Sequence, residues 1–389
     1  GIRDRSPSRG LGDVYKRQFF NRAEAVPPPA SSYMQSSIVL LPGDGIGPEV
    51  VAAAERVLRL VADRFGHRFE ISSYPIGGAA LKSGLPPLPE ATRAACQEAD
   101  AVLLGAVGDP AFDSGSSEGR PETGLLQLRQ ALGVFANLRP AKVWPGMEDG
   151  GPFKPELIAG VDLLIVRELL GGIYFGEPRG IAEDGQSAFN TMRYSRPEVE
   201  RIAEVAFKAA QGRRKLVTSV DKANVLETSR LWREVVGEVA IRYPDVELRH
   251  QYVDSCALLV ATNPKQFDVL LSGNLFGDII SDEAGAVAGS LGLLPSASLG
   301  DRGGLYEPVH GSAPTIAGQD IANPIGAIAS GAMLLRHSLG LAAEADAIDR
   351  AIGDTLVAGH RTADLVIEEA QTQIGGAAMA QQVLDRLES

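Results

Sequence analysis

The chain has 389 residues, of which 44% are hydrophobic and 22% are charged, so it can bury a sizeable core without disulfide bonds and is not intrinsically disordered. Its two cysteines, Cys96 and Cys256, have neither zinc-site nor CxxC spacing. A formal net charge of −12 argues against nucleic acid and anionic membranes as partners, so an anionic ligand would need a local cluster of Arg and Lys.

The first 33 residues differ from the rest of the chain. They begin with Gly, carry six basic residues against three acidic ones, and end in a Pro- and Ser-rich stretch. The acidic residues argue against a transit peptide, and the missing apolar run argues against a secretory signal. We therefore predict a non-native or disordered extension before a natural start at Met34. The longest uncharged stretches, 25–43 and 284–300, are interrupted by Pro, Ser or Gly, so we predict a cytoplasmic protein without a transmembrane segment.

Strands and helices alternate along the remaining chain. Short apolar runs predict buried strands at 37–42, 101–108, 163–166, 216–220 and 267–271. Helical spacing of apolar residues predicts helices over 50–65, 197–211, 229–241, 278–288, 324–337 and 342–355. This alternation predicts α/β layers with a largely parallel sheet, in which binding sites lie at the carboxyl ends of the strands.

The first predicted strand leads into a Gly-rich turn at residues 43–48 with the sequence Gly-Asp-Gly-Ile-Gly-Pro. Such a turn could hold a phosphate at a helix N-terminus, but it matches neither G-x-G-x-x-G nor the P-loop, and Asp44 would repel phosphate. A tight strand-to-helix turn without a ligand is an equally good interpretation.

Two carboxylates, Asp278 and Asp282, are four residues apart just after a predicted strand. This spacing puts both on one face of a helix, and we expect that face in the first turn. One interpretation is N-terminal capping and stabilisation by the helix dipole. The other is a site for a hard cation, because two carboxylates on one face repel each other and oxygen ligands suit Mg²⁺ or Mn²⁺.

Three arginines stand beside apolar runs: Arg129, Arg139 and Arg167. Each alone would be interpreted as a surface residue, but three in an acidic chain favour a small polycarboxylate ligand, since guanidinium groups bind carboxylates in bidentate geometry. Tyr174 lies in a Gly-rich segment, where it is either a core tyrosine or a ligand contact. Lys222 follows a buried strand, where burial could fit it for proton transfer, although a solvated loop lysine is the commoner case.

Three segments of the chain, 41–49, 274–282 and 307–314, together resemble the β-decarboxylating dehydrogenases, the 3-isopropylmalate and isocitrate dehydrogenase family. The resemblance extends from about residue 38 to 387. It implies a two-domain α/β fold that is not of the Rossmann type, with a cleft between the domains. Residues 34–134 and 289–389 would form the cofactor-side domain, and 135–288 the substrate, metal and dimerisation domain. It also implies a homodimer with shared active sites, in which Lys222 and Asp254 cross the interface.

The resemblance further implies a set of residue roles. Asp254, Asp278 and Asp282 would bind Mg²⁺ or Mn²⁺, Lys222 would remove a proton as hydride passes to NAD⁺, and Tyr174 would return one. Substrate carboxylates would be bound by Arg129, Arg139 and Arg167, with Asp254 also at the substrate. The cofactor residues would be Glu122 near the nicotinamide and, around the adenosine half, His310, Gly311, Ser312, Ala313, Pro314 and Asn323.

Three positions bear on specificity within this family. Leu125 and Leu126 suit an isopropyl group and would leave a carboxylate unpaired, which favours 3-isopropylmalate as the substrate, in leucine biosynthesis. Thr315 stands where NAD-using members have Asp, so NAD is expected with weaker exclusion of NADP. The alternatives are a sister enzyme acting on malate, tartrate, homoisocitrate or isocitrate, and a non-catalytic regulatory subunit.

Overall fold

The computed structural model describes residues 33–112, 119–148, 152–301, 303–365 and 371–388. The predicted N-terminal extension lies outside these ranges except for Tyr33. The described ranges contain fourteen strands and twelve helices. Ten of the strands form one sheet, and helices cover its faces, so the predicted α/β layering is confirmed. No helix in these ranges is long and apolar enough to cross a membrane.

One half of the sheet has the strand order β2-β1-β3-β12-β11. Strand β1, between β2 and β3, contains the continuous apolar run 38–41, which is buried on both faces as expected for a strand between two helical layers. The strands of this half are β1 (Gln35–Gly43), β2 (Arg68–Ser73), β3 (Ala101–Ala106), β11 (Pro295–Gly300) and β12 (Gly304–Pro308).

The other half continues from β11 with the order β4-β5-β10-β8-β9. Its strands are β4 (Val134–Lys142), β5 (Asp162–Glu168), β8 (Leu216–Asp221), β9 (Glu247–Tyr252) and β10 (Val269–Ser272). Two short two-stranded ribbons complete the strands: β6 (Gly180–Ile181) with β7 (Ala188–Phe189), and β13 (His360–Arg361) with β14 (Thr372–Gln373).

Six of the twelve described helices lie at predicted positions but begin or end up to four residues away, and the other six were not predicted. In the first part of the chain they are α1 (Gly47–Phe65), α2 (Gly78–Lys82), α3 (Glu90–Glu98), α4 (Pro121–Leu132), α5 (Pro155–Ile158) and α6 (Arg196–Gln211). The later ones are α7 (Glu227–Ala240), α8 (Val253–Thr262), α9 (Asn274–Ala288), α10 (Ile325–His337), α11 (Ala342–Val357) and α12 (Gly376–Glu388). The six at predicted positions are α1, α6, α7, α9, α10 and α11.

The sheet is parallel at both ends and antiparallel in the middle. Strands β2, β1, β3 and β12 pair in parallel, as do β5, β10, β8 and β9. The three pairings at the centre, β12 with β11, β11 with β4 and β4 with β5, are antiparallel. The prediction of a largely parallel sheet therefore holds for the two ends, while the antiparallel centre was not predicted. The junction between β11 and β4 falls at the expected domain boundary, but the two-domain division stays a prediction.

Candidate active site

Asp278 is the centre of the candidate site. The helix that carries it, α9, begins at Asn274 directly after the buried strand β10, so Asp278 is its fifth residue and Asp282 its ninth. The expectation that both lie in the first turn is wrong, and interpretation as N-terminal caps fails with it, because the orphan N–H groups belong to the first four residues of a helix. The two carboxylates share one face further along the helix, where capping gives no reason for them.

Two of the predicted arginines converge on Asp278. Arg167, at the end of β5, donates from Nη1 to Asp278 Oδ1 at 2.5 Å, and Arg139, on β4, donates to the same oxygen at 3.2 Å. Asp282 Oδ1 lies 3.7 Å from Arg139 Nη1. Burial alone would raise the pKa of Asp278, but the charges of Arg167 and Arg139 outweigh burial, and the pKa lies below its usual value. The site therefore holds an ionised carboxylate among fixed cations.

The arginines are held in place by polar residues that sequence reasoning missed. Asn274 accepts from Arg167 twice, with its backbone O at 2.9 Å from Nε and its Oδ1 at 2.7 Å from Nη2. Ser281 Oγ accepts from Arg139 Nη1 at 2.6 Å, and Asn137 Oδ1 accepts from Arg139 Nε at 2.7 Å. The available signal was the polar content of otherwise apolar elements, since a buried Asn or Ser needs a partner.

Tyr174 lies in a short 3₁₀ helix, Gly172–Tyr174, and its hydroxyl donates to Asp278 Oδ2 at 2.9 Å. Burial, followed by the neighbouring charge of Asp278, raises its pKa. The phenol therefore stays protonated throughout the ordinary pH range. The interpretation of Tyr174 as a core tyrosine fails, because its hydroxyl points into a cluster of charged groups.

Arg129 lies in the last turn of α4 and forms a buried ion pair with Glu307 on β12, at 2.8 Å from Nη2 to Oε1. Its Nε is also buried and has no hydrogen-bond partner within the described ranges. The charge of Arg129 also helps to lower the pKa of Asp278. Leu125 and Leu126, which are half-buried, precede Arg129 by four and three residues and therefore lie on the same helical face.

Lys222 and Asp254 form a separate pair. Lys222 directly follows β8 and its Nζ lies 2.6 Å from Asp254 Oδ1 near the start of α8, and this hydrogen bond lowers the pKa of Asp254. No group of three His, Cys, Asp or Glu side chains with the arrangement of a metal site occurs within the residues that the structure describes. Asp254 therefore does not join Asp278 and Asp282 within one chain.

The predicted cofactor residues of the 310–314 loop pack against the Gly-rich turn after β1. The Ile46 N–H donates to Ser312 O at 2.8 Å, and a Cβ at Gly45 would lie 1.9 Å from that oxygen. Asp44 accepts from the N–H groups of Gly78, Ala79 and Gly108. The phosphate-binding interpretation of this turn is wrong, because its carboxylate and N–H groups are used to join loops.

Several features of this loop fit a dinucleotide. A Cβ at Gly108 would lie 3.2 Å from Glu122 Oε1 and 3.3 Å from Ser312 Oγ, so these two side chains face one small gap. His310 Nε2 is buried and has no hydrogen-bond partner among the described residues, and burial lowers the pKa of His310. A neutral imidazole and a backbone with open space at Gly311 can both approach a ligand closely.

The other predicted cofactor residue, Asn323, is used within the chain. Its Oδ1 accepts from the Ile325 N–H at 3.0 Å, at the start of α10, and its Nδ2 donates to Asp364 at 3.1 Å. Ala313 and Pro314 continue the loop, and Ala313 has a positive φ of 37°. The backbone of this segment, more than the Asn323 amide, is what remains for a ligand.

The donor set at Asp278 and Asp282 fits a hard divalent cation. All of its ligand atoms are carboxylate oxygens, which Mg²⁺ and Mn²⁺ prefer. Burial raises the pKa of Asp282, Arg139 opposes this rise, and the charge of Asp278 adds to it. A cation shared by the two carboxylates would relieve that repulsion.

Comparison with known proteins shows what the whole chain is similar to. The sequence profile described as isocitrate/isopropylmalate dehydrogenase matches residues 37–383. The chain is 56% identical over 358 residues to the 3-isopropylmalate dehydrogenase of Nitratidesulfovibrio vulgaris, covering 91% of this chain and all of that one. It is 57% identical over 330 residues to the enzyme of that name from Wolinella succinogenes, covering 84% and 91%.

A solved structure resembles the whole described fold. The isocitrate dehydrogenase of Methylococcus capsulatus matches with a TM-score of 0.81 and 36% identity, covering 91% of this chain and 100% of that chain.

Proposed function

Because the chain belongs to the isocitrate/isopropylmalate dehydrogenase family, we propose that it oxidatively decarboxylates 3-isopropylmalate to 4-methyl-2-oxopentanoate with reduction of NAD⁺, in leucine biosynthesis. The observation that carries this proposal is the identity of 51–57% to relatives bearing the 3-isopropylmalate dehydrogenase name, over 84–91% of this chain. The convergence of Arg139, Arg167 and Tyr174 on Asp278 supports it independently.

The arginines supply the substrate subsite. Arg139 and Arg167 lie at the carboxylate of Asp278. A dicarboxylic acid would bind the N–H groups of these two arginines that face the cleft, together with Arg129. Leu125 and Leu126, on the helical face that carries Arg129, would bury the isopropyl group. That burial is worth about 1.5–3 kcal/mol. An isocitrate carboxylate at the same place would lose its hydration without gaining a partner.

Proton transfers are assigned to two residues. Lys222, directly or through water or Asp, removes the proton of the C2 hydroxyl as the alcohol is oxidised, and the resulting β-keto acid loses CO₂. Tyr174, which is protonated and half-buried, returns a proton to the enol carbon. Asp278, Asp282 and, across a dimer interface, Asp254 would hold a divalent cation, which would supply positive charge to the substrate oxygens, and bound NAD⁺ would supply the hydride acceptor.

The remaining assignments follow from the same family. Residues 34–134 with 289–389 form the cofactor-side domain, residues 135–288 form the substrate and metal domain, and the cleft lies between them. The proposed location is the cytoplasm. The proposed assembly is a homodimer, because Lys222 and Asp254 do not join Asp278 in a metal-type cluster within the described residues of one chain. Glu122 and the 310–314 loop bind NAD, and Thr315 repels a 2′-phosphate less than Asp does.

The test is NADH formation measured by absorbance with 3-isopropylmalate and Mg²⁺, in parallel with D-malate, tartrate, isocitrate and, as the other cofactor, NADP⁺. We expect the highest kcat/KM with 3-isopropylmalate and NAD⁺, and loss of turnover in Asp278→Asn but not in Asp63→Asn, an exposed carboxylate on α1. Higher kcat/KM with any other acid would overturn the substrate assignment. Absence of turnover from folded, Mg²⁺-supplied protein would favour a non-catalytic subunit.

A further inference from the structure

Hydrogen bonds made by Lys222 and by its neighbours in the chain fix the backbone around Lys222. The Ala223 N–H donates to Asp221 Oδ1 at 2.8 Å, which closes a turn around Lys222. The Lys222 N–H donates to Ser229 Oγ at 3.1 Å, and Lys222 O accepts from the Val225 N–H at 2.9 Å. These bonds hold the backbone of Lys222 in place, and its side chain extends to Asp254.

Asp221 is itself fixed by an arginine from another element. Its side chain is 1% exposed, and both of its oxygens accept from Arg233 of α7, with Nε to Oδ2 and Nη2 to Oδ1 each at 2.9 Å. A buried carboxylate without such a bidentate partner would be strongly destabilising. The ion pair therefore ties α7 to the end of β8, one residue before Lys222.

The same guanidinium also contacts the strand that leads to Asp254. Arg233 Cζ lies 5.2 Å from the centroid of the Tyr252 ring, within range of a cation–π interaction. Tyr252 ends β9, two residues before Asp254, and it is the register partner of Asp221 in the parallel pairing of β8 with β9. One side chain thus spans the last residue pair of the ladder, and the Lys222–Asp254 pair lies just beyond it.

We propose that Arg233, with Asp221, is a positioning pair that sets the distance between Lys222 and Asp254 for proton removal. This inference rests on the proposed function, in which Lys222 is the base. Arg233 touches neither substrate nor cofactor in this assignment and acts only through the two strand ends. The alternative is that the ion pair merely holds α7 on the sheet.

The experiment compares Arg233→Met with Arg242→Met in the full-length protein. Arg242 follows α7 and forms exposed ion pairs with Glu200 and Glu204 of α6, far along the chain from Lys222, so its variant controls for loss of a helix-linking arginine. We expect Arg233→Met to lower kcat by about tenfold or more, since a displacement of about 1 Å in a catalytic group can cost on the order of 10²-fold. The KM for NAD⁺ should stay within about twofold, because the 310–314 loop is untouched.

A second readout does not depend on activity. The rate at which Lys222 is acetylated by acetic anhydride at one fixed pH, followed by peptide mass spectrometry, reports how firmly its amino group is held. We expect Arg233→Met to raise this rate at least about threefold relative to wild type and Arg242→Met. Arg233→Lys keeps the charge but loses the bidentate fork, so it should recover part of both effects.

The proposal is overturned if Arg233→Met changes kcat and Lys222 acetylation no more than Arg242→Met does. It is also overturned if the fall in kcat comes with a rise in both KM values and a fall in the melting temperature, as for a purely structural ion pair. Should Arg233→Met fail to fold, the same comparison is made with Arg233→Lys. If wild type does not turn over 3-isopropylmalate, the proposed function fails, while the acetylation rates still test the positioning role.

Discussion

A single carboxylate organises the charges of the candidate site. Asp278 accepts from Arg167, Arg139 and Tyr174, and all three interactions favour its ionised form. The arginines keep the carboxylate ionised, and burial, followed by the charge of that carboxylate, raises the pKa of Tyr174 and keeps its phenol protonated. The site therefore holds a proton on Tyr174 next to fixed cations, which is the arrangement that a proton donor to a developing carbanion requires.

Removal of the Tyr174 hydroxyl tests this arrangement. Tyr174→Phe should lower kcat by about 10²–10⁴-fold, the usual contribution of a positioned acid. The KM for the substrate should change little, because the arginines remain. Steady-state kinetics of NADH formation measure both, and Tyr33→Phe, whose ring is exposed, is the control. An unchanged kcat in Tyr174→Phe would assign the proton to another group.

The apolar subsite is tested by a substrate that lacks the isopropyl group. Leu125→Ser should lower kcat/KM for 3-isopropylmalate by about 10–100-fold, equivalent to about 1.5–3 kcal/mol of lost burial. D-malate has no isopropyl group to bury, so its kcat/KM should stay within about twofold. Equal losses for both acids would mean that Leu125 supports the helix rather than the substrate.

A strand can be predicted from the sequence when most of its side chains are both buried and apolar. Strands β1, β3, β5, β8 and β10 were predicted because they are apolar runs buried on both faces. Strand β9 was missed because it lies at a sheet edge with mostly exposed, polar side chains. Strand β4 was missed for the opposite reason, since its buried side chains include Asn137 and Arg139, which serve the site.

The same reasoning separates the predicted and missed parts of the site. Charged residues beside apolar runs were visible in the sequence, and Arg139, Arg167 and Asp278 do converge. The partner of Asn274 could not be predicted, because it depends on the contact of α9 with β5, which no local pattern encodes. The start of α9 was placed four residues late for a related reason, as Asn274 begins the helix without a side-chain capping bond.

The contact between the Gly-rich turn and the 310–314 loop can be tested by a substitution in the turn. Gly45 has φ 56°, and an added Cβ would lie 1.9 Å from Ser312 O, so Gly45→Ala must displace the 310–314 loop. We expect NADH affinity, measured by fluorescence titration, to fall about tenfold or more, because a displaced loop no longer matches the ligand.

The matched control is Gly66→Ala. Gly66 also has a positive φ, 74°, but nothing lies within 4 Å of an added Cβ. Both variants carry the left-handed strain of about 1–2 kcal/mol, which thermal melting measures. Equal NADH affinity in the two variants would contradict the role of this turn in shaping the loop.

At the scale of the whole molecule, the two halves of the sheet share one core. Within the described ranges, the largest cluster of buried apolar side chains includes Leu58 and Ile348 on one side of the β11–β4 junction and Phe207 and Val235 on the other. The strand pairing also continues through the junction, with one register shift between Leu299 and Gly300. Because hydrogen bonds and packing both cross it, we expect the halves to unfold together even where a cleft lets them move.

The two cysteines can show whether the halves unfold together, because each lies in a different one of two smaller clusters of buried apolar side chains. Cys96 belongs to the cluster around β1 and β3, and Cys256 to the cluster around β5 and β10. Burial raises the pKa of both thiols to about 12. Since the thiolate is the reactive form, a raised pKa lowers reactivity at every pH below it, and neither thiol should react with Ellman's reagent at pH 8 in the native protein. Across a guanidinium titration, both should become reactive over the same range, and Cys96→Ser and Cys256→Ser assign the signals. Exposure of one thiol at clearly lower denaturant would show that the halves unfold independently, despite the continuous sheet.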